Sequence, residues 1–308
     1  MKIHRGLQTI RTPLEQCTVA IGRFDGVHVG HQALIGKAVQ CARERGISSV
    51  VFTFDRHPAE LLAPDRAPFS LTTTDRQAEL IEALGADHLM VAEFDWQFSS
   101  LSAESFMHFV LCGVLGAKEV FVGEDFRFGS MQSGDVAALI EAEHRLGFHT
   151  HVVSAINVDG EKASSSRARN LLLAGDLDGA QAILGRPHRL SGIVGHGAEL
   201  GRTIGFPTAN LEVEGRLLVP ANGIYAVRAR VGGKELTGAC SVGTRPTVDG
   251  VGRTVETYMF DFSGDIYDHR LEIDFIARLR DELKFASVEK MVEQIHLDVE
   301  ECRQILSA

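Results

Sequence analysis

Two histidines three residues apart, His28 and His31, stand in the segment Ile21-Gly22-Arg23-Phe24-Asp25-Gly26-Val27-His28-Val29-Gly30-His31. Imidazole N–H groups are donors suited to a phosphate, where charge accumulates as the bond to a leaving group breaks. Residues i and i+3 share a helix face, so both rings can turn to one ligand. Gly22, Gly26 and Gly30 let backbone come close to that ligand, and the start of a helix adds unpaired amides and a positive dipole end. The competing reading is a pair of surface or metal-binding histidines in a glycine-rich turn. The flanking pattern favours phosphate chemistry, because an apolar run precedes the turn and a helix-spaced stretch follows it.

A second constellation lies in Gly201-Arg202-Thr203-Ile204-Gly205-Phe206-Pro207-Thr208-Ala209-Asn210. Pro207 biases the chain toward extended geometry, so Thr208 and Asn210 point to one side as i and i+2. Two oxygen donors so placed suit Mg²⁺ held jointly with nucleotide phosphates. The alternative is an Asx or ST turn. Glu256 shares the alternating face of a predicted strand with Tyr258, Phe260 and Phe262. A carboxylate on an aromatic face is costly unless it has a task or a partner, which leaves a general base and a paired structural carboxylate as its two readings.

These motifs resemble those of the prokaryotic bifunctional riboflavin kinases/FAD synthetases. G-R-F-D-G-V-H-V-G-H is similar to the nucleotidyltransferase signature of that family, and G-R-T-I-G-F-P-T-A-N to its flavokinase motif. The resemblance runs from about residue 15 to about 305. It implies that His28 and His31 act in adenylyl transfer, with nucleotide contacts from Gly22, Phe24, Asp25 and Gly30 and from His57 in His57-Pro58. Gly123-Glu124-Asp125-Phe126-Arg127-Phe128-Gly129 resembles the family's G-x-D-F-R-F-G and implies a flavin-side role for Asp125, Phe126 and Phe128; part of that segment also reads as core. Ser164-Ser165-Ser166-Arg167-Ala168-Arg169 resembles S-S-T-x-I-R, which implies nucleotide contacts from Ser164 and Ser165 and a triphosphate contact from Arg169, with Arg167 as the competing guanidinium. Serines at a helix start equally read as caps.

In the second half the resemblance implies nucleotide contacts from Gly201, Arg202 and Thr208, metal contacts from Thr208 and Asn210, and Glu256 as the base for the riboflavin 5′-hydroxyl. Arg280, in R-D-E-L-K-F, is implied at the flavin. Gly243-Thr244-Arg245-Pro246-Thr247 also matches the family, and glycines near His196 are a further candidate for covering phosphates. Three residues depart from the family pattern: Ser166, Ala168, and Asp268, where a glycine follows the tyrosine in many members.

The elements needed to position these residues are legible. Cys17 to Phe24, Ser48 to Phe54, His88 to Phe94, Glu119 to Gly123 and Thr150 to Ser154 read as strands. Helical patterns alternate with them over His31 to Gly46, Thr74 to Leu84, Ser102 to Val114 and Gly134 to Leu146, which predicts an α/β doubly wound nucleotidyltransferase domain with ligands at the strand carboxyl ends. Composition changes at Gly185, so the predicted domains are residues 1–185 and 186–308. After it, Ser191 to Gly195, Gly223 to Val231, Glu235 to Val242, Arg253 to Phe262 and Arg270 to Ala277 read as strands of a small antiparallel β-barrel. A C-terminal helix from Ser287 carries one apolar stripe, Val288, Met291, Val292, Ile295, Val299, Cys302, Ile305 and Leu306, expected to cover the barrel.

Composition bounds the partners. Lys and Arg number 31 against 41 Asp and Glu, and the net charge of −10 speaks against nucleic acid or an anionic membrane. The N-terminus lacks an apolar leader and no stretch approaches a membrane span, so a cytoplasmic protein is expected. Cys17, Cys41, Cys112, Cys240 and Cys302 are scattered and without a C-x-x-C pair, which points to reduced, buried thiols rather than disulfides or a zinc site. The resemblance implies riboflavin, FMN and ATP as substrates, FAD, ADP and pyrophosphate as products, and Mg²⁺ with ATP as cofactor. A cytidylyltransferase-like enzyme for another phosphorylated metabolite fits the histidines but not G-F-P-T-A-N. A non-enzymatic flavin-binding regulator would be expected to have lost one of His28, His31, Asn210 or Glu256, and all four are present.

Overall fold

In a computed structural model of the chain the described residues are 1–10, 14, 16–196, 204–247 and 250–307, with backbone alone at 245–247 and 250–251. They form two compact units, Met1–Pro68 with Thr74–Ala163, and Phe69–Thr73 with Ser164–Ala308.

The first unit is a six-stranded sheet, every neighbouring pair parallel. Its strands are β1 (Lys2–Arg5), β2 (Cys17–Ile21), β3 (Ser48–Phe54), β4 (His88–Ala92), β5 (Ala117–Gly123) and β8 (His149–Val153), while β6 (Arg127–Phe128) and β7 (Gly134–Asp135) form a short hairpin between the last two. A second hairpin, β9 (Asn157–Val158) with β10 (Glu161–Lys162), follows. Every residue of β2 is buried, which is why it reads as an unbroken apolar run. Cys17, Val19 and Ile21 join one hydrophobic cluster with Val50 and Phe52, whereas Ala20 faces the opposite cluster with Leu34, Ile35 and Ala38 of α1 (Val29–Arg45).

The order β1-β4-β3-β2-β5-β8 reverses at β2, because the chain runs outward through β3 and β4 on one side and through β5 and β8 on the other. A crevice at the carboxyl ends of β2 and β5 follows from that reversal. The helices between strands are α1, α2 (Pro58–Leu62), α3 (Thr74–Ala83), α4 (Trp96–Ser99), α5 (Ala103–Ser105) and α6 (Val136–Leu146). The helix expected over Ser102 to Val114 is regular only in α5; residues 106–114 wind as a π-helix, closed by Leu115 N donating to Val110 O. The strand β1 was invisible in the sequence, since three of its four residues are exposed and it exists by pairing with β4.

The second unit holds α7 (Ser165–Ala174), α8 (Leu177–Leu184), a closed barrel and α9 (Val288–Ser307). The barrel order is β11-β12-β15-β14-β13-β16, with β11 (His188–Gly195), β12 (Thr208–Val213), β13 (Gly223–Val231), β14 (Lys234–Thr247), β15 (Gly250–Met259) and β16 (Arg270–Arg280), all neighbours antiparallel. Five of these strands are legible in the pattern. The sixth, β12, grows out of the segment read for its chemistry and joins β11 to β15. On β13 one face buries Tyr225, Val227 and Ala229, while Ala226 on the other meets Cys302 of α9. Val299, Ile305 and Leu306 extend that contact, but Val288 is exposed, so the stripe covers the barrel only from its middle onward. Among the described residues no helix is long and apolar enough to cross a membrane.

Gly185 caps α8 in the left-handed conformation, and α8 buries Leu177, Ala180, Ile183 and Leu184 within the second unit. Burying a Leu or Ile side chain contributes about 1.5–3 kcal/mol. A fragment starting at Ser164 is therefore expected to melt higher than one starting at Arg186, by at least about 4 °C for a domain of this size. Equal melting temperatures would show that α7 and α8 add nothing to the barrel's stability.

Candidate active sites

At the end of β2 the chain turns through a strained loop. Phe24 and Val27 have φ of +48° and +38°, and Gly26 has +79°. Left-handed backbone costs a non-glycine residue roughly 1–2 kcal/mol, so the surrounding contacts must hold it. They do so at Arg23, whose carbonyl accepts from Thr53 Oγ1 at 2.9 Å and from Gln77 Nε2 at 2.8 Å. Phe24 is fully buried in the core beneath the loop, so it supports the site as a wall instead of touching solvent. Asp25 is half-buried in the turn.

His28 caps α1, its Nδ1 accepting from His31 N at 3.3 Å. An accepting Nδ1 carries no proton, so in the neutral ring the proton resides on Nε2, the nitrogen able to donate to a ligand. The two imidazoles stack with centroids 3.6 Å apart, and Phe24 meets His31 edge-on at 5.2 Å. The stack explains Gly30, because a Cβ there would come within 3.1 Å of the His28 ring. At Gly22 a Cβ would come within 2.9 Å of the Phe24 ring. Nδ1 of His31 is buried and has no hydrogen-bond partner among the described residues. Burial, then the neighbouring His28, then Arg23 hold the His31 pKa well below the ordinary histidine range. His31 is thus a neutral imidazole at the positive end of a 17-residue helix.

Other residues of the first unit are placed differently from the simplest expectation. His57 caps α2, its Nδ1 accepting from Ala59 N at 2.9 Å, with Glu60 completing a capping box. Asp125 is paired with Lys162, and that contact holds its carboxyl below the usual range. Phe126 and Phe128 stack on each other at 5.5 Å, and Phe128 also meets Phe106 in the core. These contacts tie both rings to each other and, through Phe128, to the core.

In the second unit Ser164 caps α7, its hydroxyl accepting from Arg167 N at 3.2 Å, and Ser165 is the first helical residue. Arg169 is 7% exposed and its Nε donates to Phe69 O at 2.7 Å, so this donor anchors residues 69–73. Arg167 is the more open guanidinium. Ala168 is fully buried, which makes the departure from a larger aliphatic a packing change.

The barrel motif is assembled across strands. Asn210 lies opposite Glu256 and Thr208 opposite Tyr258 in the β12–β15 pairing, while Ser241 faces Glu256 from β14. Thr208 Oγ1 donates to Glu256 Oε2 at 3.5 Å. Glu256 is half-buried, and among the described residues it makes no ion pair. Two cavities meet here. One, of about 280 Å³, lies between the barrel's outer face and α9, lined by Phe206, Glu256, Tyr258, Arg280, Met291 and Ile295. The other, of about 470 Å³, is lined by Pro207, Met259, Phe262, Gly264 and Tyr267, and Thr208 borders both. Gly201 and Arg202 lie outside the described residues, as does Gly197. The ring of His196 stacks on Tyr267 at 4.1 Å, and the residue after Tyr267, Asp268, has φ +62°, the left-handed conformation that favours glycine.

Arg280 lines the first cavity with its guanidinium held by a carboxylate that the sequence reading passed over. Nε and Nη2 reach the two oxygens of Asp298, and Gln294 Nε2 donates to the same group at 2.9 Å. Asp298 is 4% exposed on α9. Its position in the helical series Met291, Ile295, Asp298, Cys302 was the available signal, an acid within an apolar stripe. Thr208, Asn210 and Glu256 offer hydroxyl, amide and carboxylate oxygens, a hard donor set that fits a divalent cation carried by a nucleotide.

Comparison with known proteins agrees with this division. The FAD synthetase family model matches residues 10–167 and the riboflavin kinase model residues 184–306. The chain is 39% identical over 306 residues to the bifunctional riboflavin kinase/FMN adenylyltransferase of Pseudomonas fluorescens, covering 99% of this chain and 98% of that one. It is 37% identical over 300 residues to the protein of that name from Escherichia coli K12, covering 97% and 96%. A crystal structure described as a macrolide-efflux protein from Streptococcus pneumoniae superposes with a TM-score of 0.89 at 32% identity, covering 98% and 99%.

The state of His31 has a consequence for stability. A histidine whose folded pKa is depressed is more readily protonated when unfolded, so its stabilising contribution is complete above the unfolded value of ~6.5 and is lost as pH falls below it. Urea unfolding at pH 7.5 and 5.5 is expected to show a smaller loss in His31→Gln than in the unaltered chain. The difference isolates His31, because His4 and His88 are depressed in the same direction in both proteins. Parallel losses would contradict a buried neutral imidazole.

Proposed function

The chain belongs to the bifunctional riboflavin kinase/FMN adenylyltransferase family, and from that premise we infer that the barrel unit makes FMN from riboflavin and ATP while the parallel-sheet unit makes FAD from FMN and ATP. We place the functional boundary at residue 185, beside the start of the riboflavin kinase match at 184. The observation that carries the kinase assignment is Glu256, a half-buried carboxylate without an ion-pair partner among the described residues, hydrogen-bonded to Thr208, which borders both cavities.

In the kinase reaction the apolar cavity under α9 receives the flavin ring system and the cavity past Pro207 receives ATP. Glu256 accepts the proton of the riboflavin 5′-hydroxyl as that oxygen attacks the γ-phosphorus, and ADP leaves. Thr208 orients the carboxylate through its hydroxyl. Asp298 holds Arg280 at the cavity wall, where its charge faces the substrate. Magnesium arriving with ATP would be held by Thr208 and Asn210 and would neutralise phosphate charge.

In the adenylyltransferase reaction an oxygen of the FMN phosphate attacks the α-phosphorus of ATP and pyrophosphate leaves. His28 donates from Nε2 toward the charge that develops, His31 holds that ring by stacking and through its own backbone N–H, and the start of α1 adds its dipole. Asp125 lies on the segment after β5, the strand that neighbours β2 in the crevice, and we assign it to the flavin side. The anionic chain thus binds anions through local donors instead of net charge.

Incubating the protein with riboflavin, ATP and Mg²⁺ and separating the flavins should show FMN followed by FAD. His28→Ala or His31→Ala should abolish conversion of FMN to FAD and spare FMN formation. Equal loss of both reactions would make the histidines structural. Glu256→Gln keeps size and hydrogen bonding but cannot take a proton, so kinase turnover should fall about 10²- to 10⁴-fold, roughly 3–5 kcal/mol of barrier, with the lower end favoured by a loose transition state. FAD synthesis from supplied FMN should be unchanged. A folded Gln variant that keeps more than about a tenth of the turnover would rule out a general base there.

A further inference from the structure

We propose that Cys41, Glu119 and His151 form a binding site for one zinc-class divalent cation, separate from the nucleotide-associated metal. The absence of a C-x-x-C pair argued against zinc, but here the ligands come from three elements, α1, β5 and β8. The Sγ of Cys41, a carboxylate oxygen of Glu119 and a ring nitrogen of His151 all lie within 4.8 Å of one another. Bond lengths of about 2.0–2.3 Å put tetrahedral zinc ligands roughly 3.3–3.8 Å apart, so the widest separation has to close by only about 1 Å and the His151–Glu119 pair, at 2.5 Å, has to open by about as much to admit the ion. Side-chain rotation can supply that. A thiolate, an imidazole and a carboxylate are also the donor types that select a borderline-soft ion over magnesium.

Two features show that the set is already oriented. The His151 ring lies flat on Phe121, with centroids 4.3 Å apart and 10° between planes, so its ring plane is fixed. Glu119 is 3% exposed, with Arg45 at 2.8 Å from Oε1 and His151 Nε2 at 2.5 Å from Oε2. Arg45 can stay on Oε1 as an orienting partner while Oε2 turns to the ion. A nitrogen and a carboxylate oxygen this close share a proton, so the ion takes its place: His151 Nε2 and the Cys41 thiol each release one proton to solvent as their bonds to the metal form. Of the three ligands Glu119 borders a solvent-facing cavity of about 690 Å³, lined also by Arg45, Lys118, Glu143 and His149, from which the ion would enter at its carboxylate, and a water completes the coordination.

Cys41 follows His31 by ten residues on α1, about 15 Å along the axis, so an ion here does not reach the adenylyl-transfer residues. It ties the second half of α1 to β5 and β8 and acts as a clamp on the sheet. The test uses the full-length protein freed of metal with a chelator and titrated with Zn²⁺ alone, and in parallel with Co²⁺. One equivalent of Zn²⁺ should bind, and Co²⁺ should produce thiolate-to-metal absorption in the near ultraviolet. Cys41→Ser should abolish that band, and both Cys41→Ser and His151→Gln should weaken Zn²⁺ binding at least about tenfold, while His28→Ala should not. No thiolate band in the unaltered protein would overturn the proposal without recourse to any variant. Zn²⁺ bound equally well by Cys41→Ser and His151→Gln would overturn it too, assigning the ion to other histidines.

Discussion

A β-strand turns successive side chains to opposite faces, and in both units of this chain the central strands have both faces covered. In β2, Val19 and Ala20 belong to different hydrophobic clusters on the two sides of the sheet. In β13, Tyr225 and Ala226 are both fully buried, and only Ala226 is in the cluster that meets α9. Where both faces are covered, a polar side chain is kept only if the protein satisfies it, as Ala38 O satisfies Thr18 Oγ1 and Arg45 satisfies Glu119. The two sites proposed above lie where that cover ends, at the turn after β2 and beneath the first half of α9.

That constraint explains why the two sites look different. In the sheet unit the groups proposed for adenylyl transfer are carried by a turn and the start of a helix, with left-handed backbone at Phe24 and Val27 shaping that turn. In the barrel the outer-facing positions of β12 and β15 bring Thr208, Asn210 and Glu256 together across two strands. The tail helix changes role along its length. Cys302, Val299 and Ile305 seal it to the barrel, whereas Met291, Ile295 and Asp298 line a cavity.

Electrostatics follow the same division. Buried charge is tolerated where it is matched, as with Arg280 and Asp298; removing one partner of such a pair costs about 3–5 kcal/mol because the other is stranded. His31 meets burial by remaining neutral, and Glu119 by pairing with Arg45 and His151. Glu256 has no such partner among the described residues, which sets it apart from the structural carboxylates of the chain.

Residue types and periodicity determined much of this protein by themselves. The alternating units, the barrel, the tail helix and both phosphate motifs were legible because buried strands, turn glycines and histidine spacing are local properties of the chain. Ser48–Phe54 and Gly223–Val231 form strands over the bounds their pattern predicts. Only the tertiary structure decided the rest, because it depended on partners distant in sequence. β1 is a strand by pairing with β4, and Phe126 and Phe128 turn to each other and the core. Arg169 spends its Nε on Phe69, a hundred residues away, and Asp298 is set against Arg280 by the docking of α9. A sequence shows which side chains are able to meet an anion; which ones are already spent on the protein itself is settled only when distant segments pack.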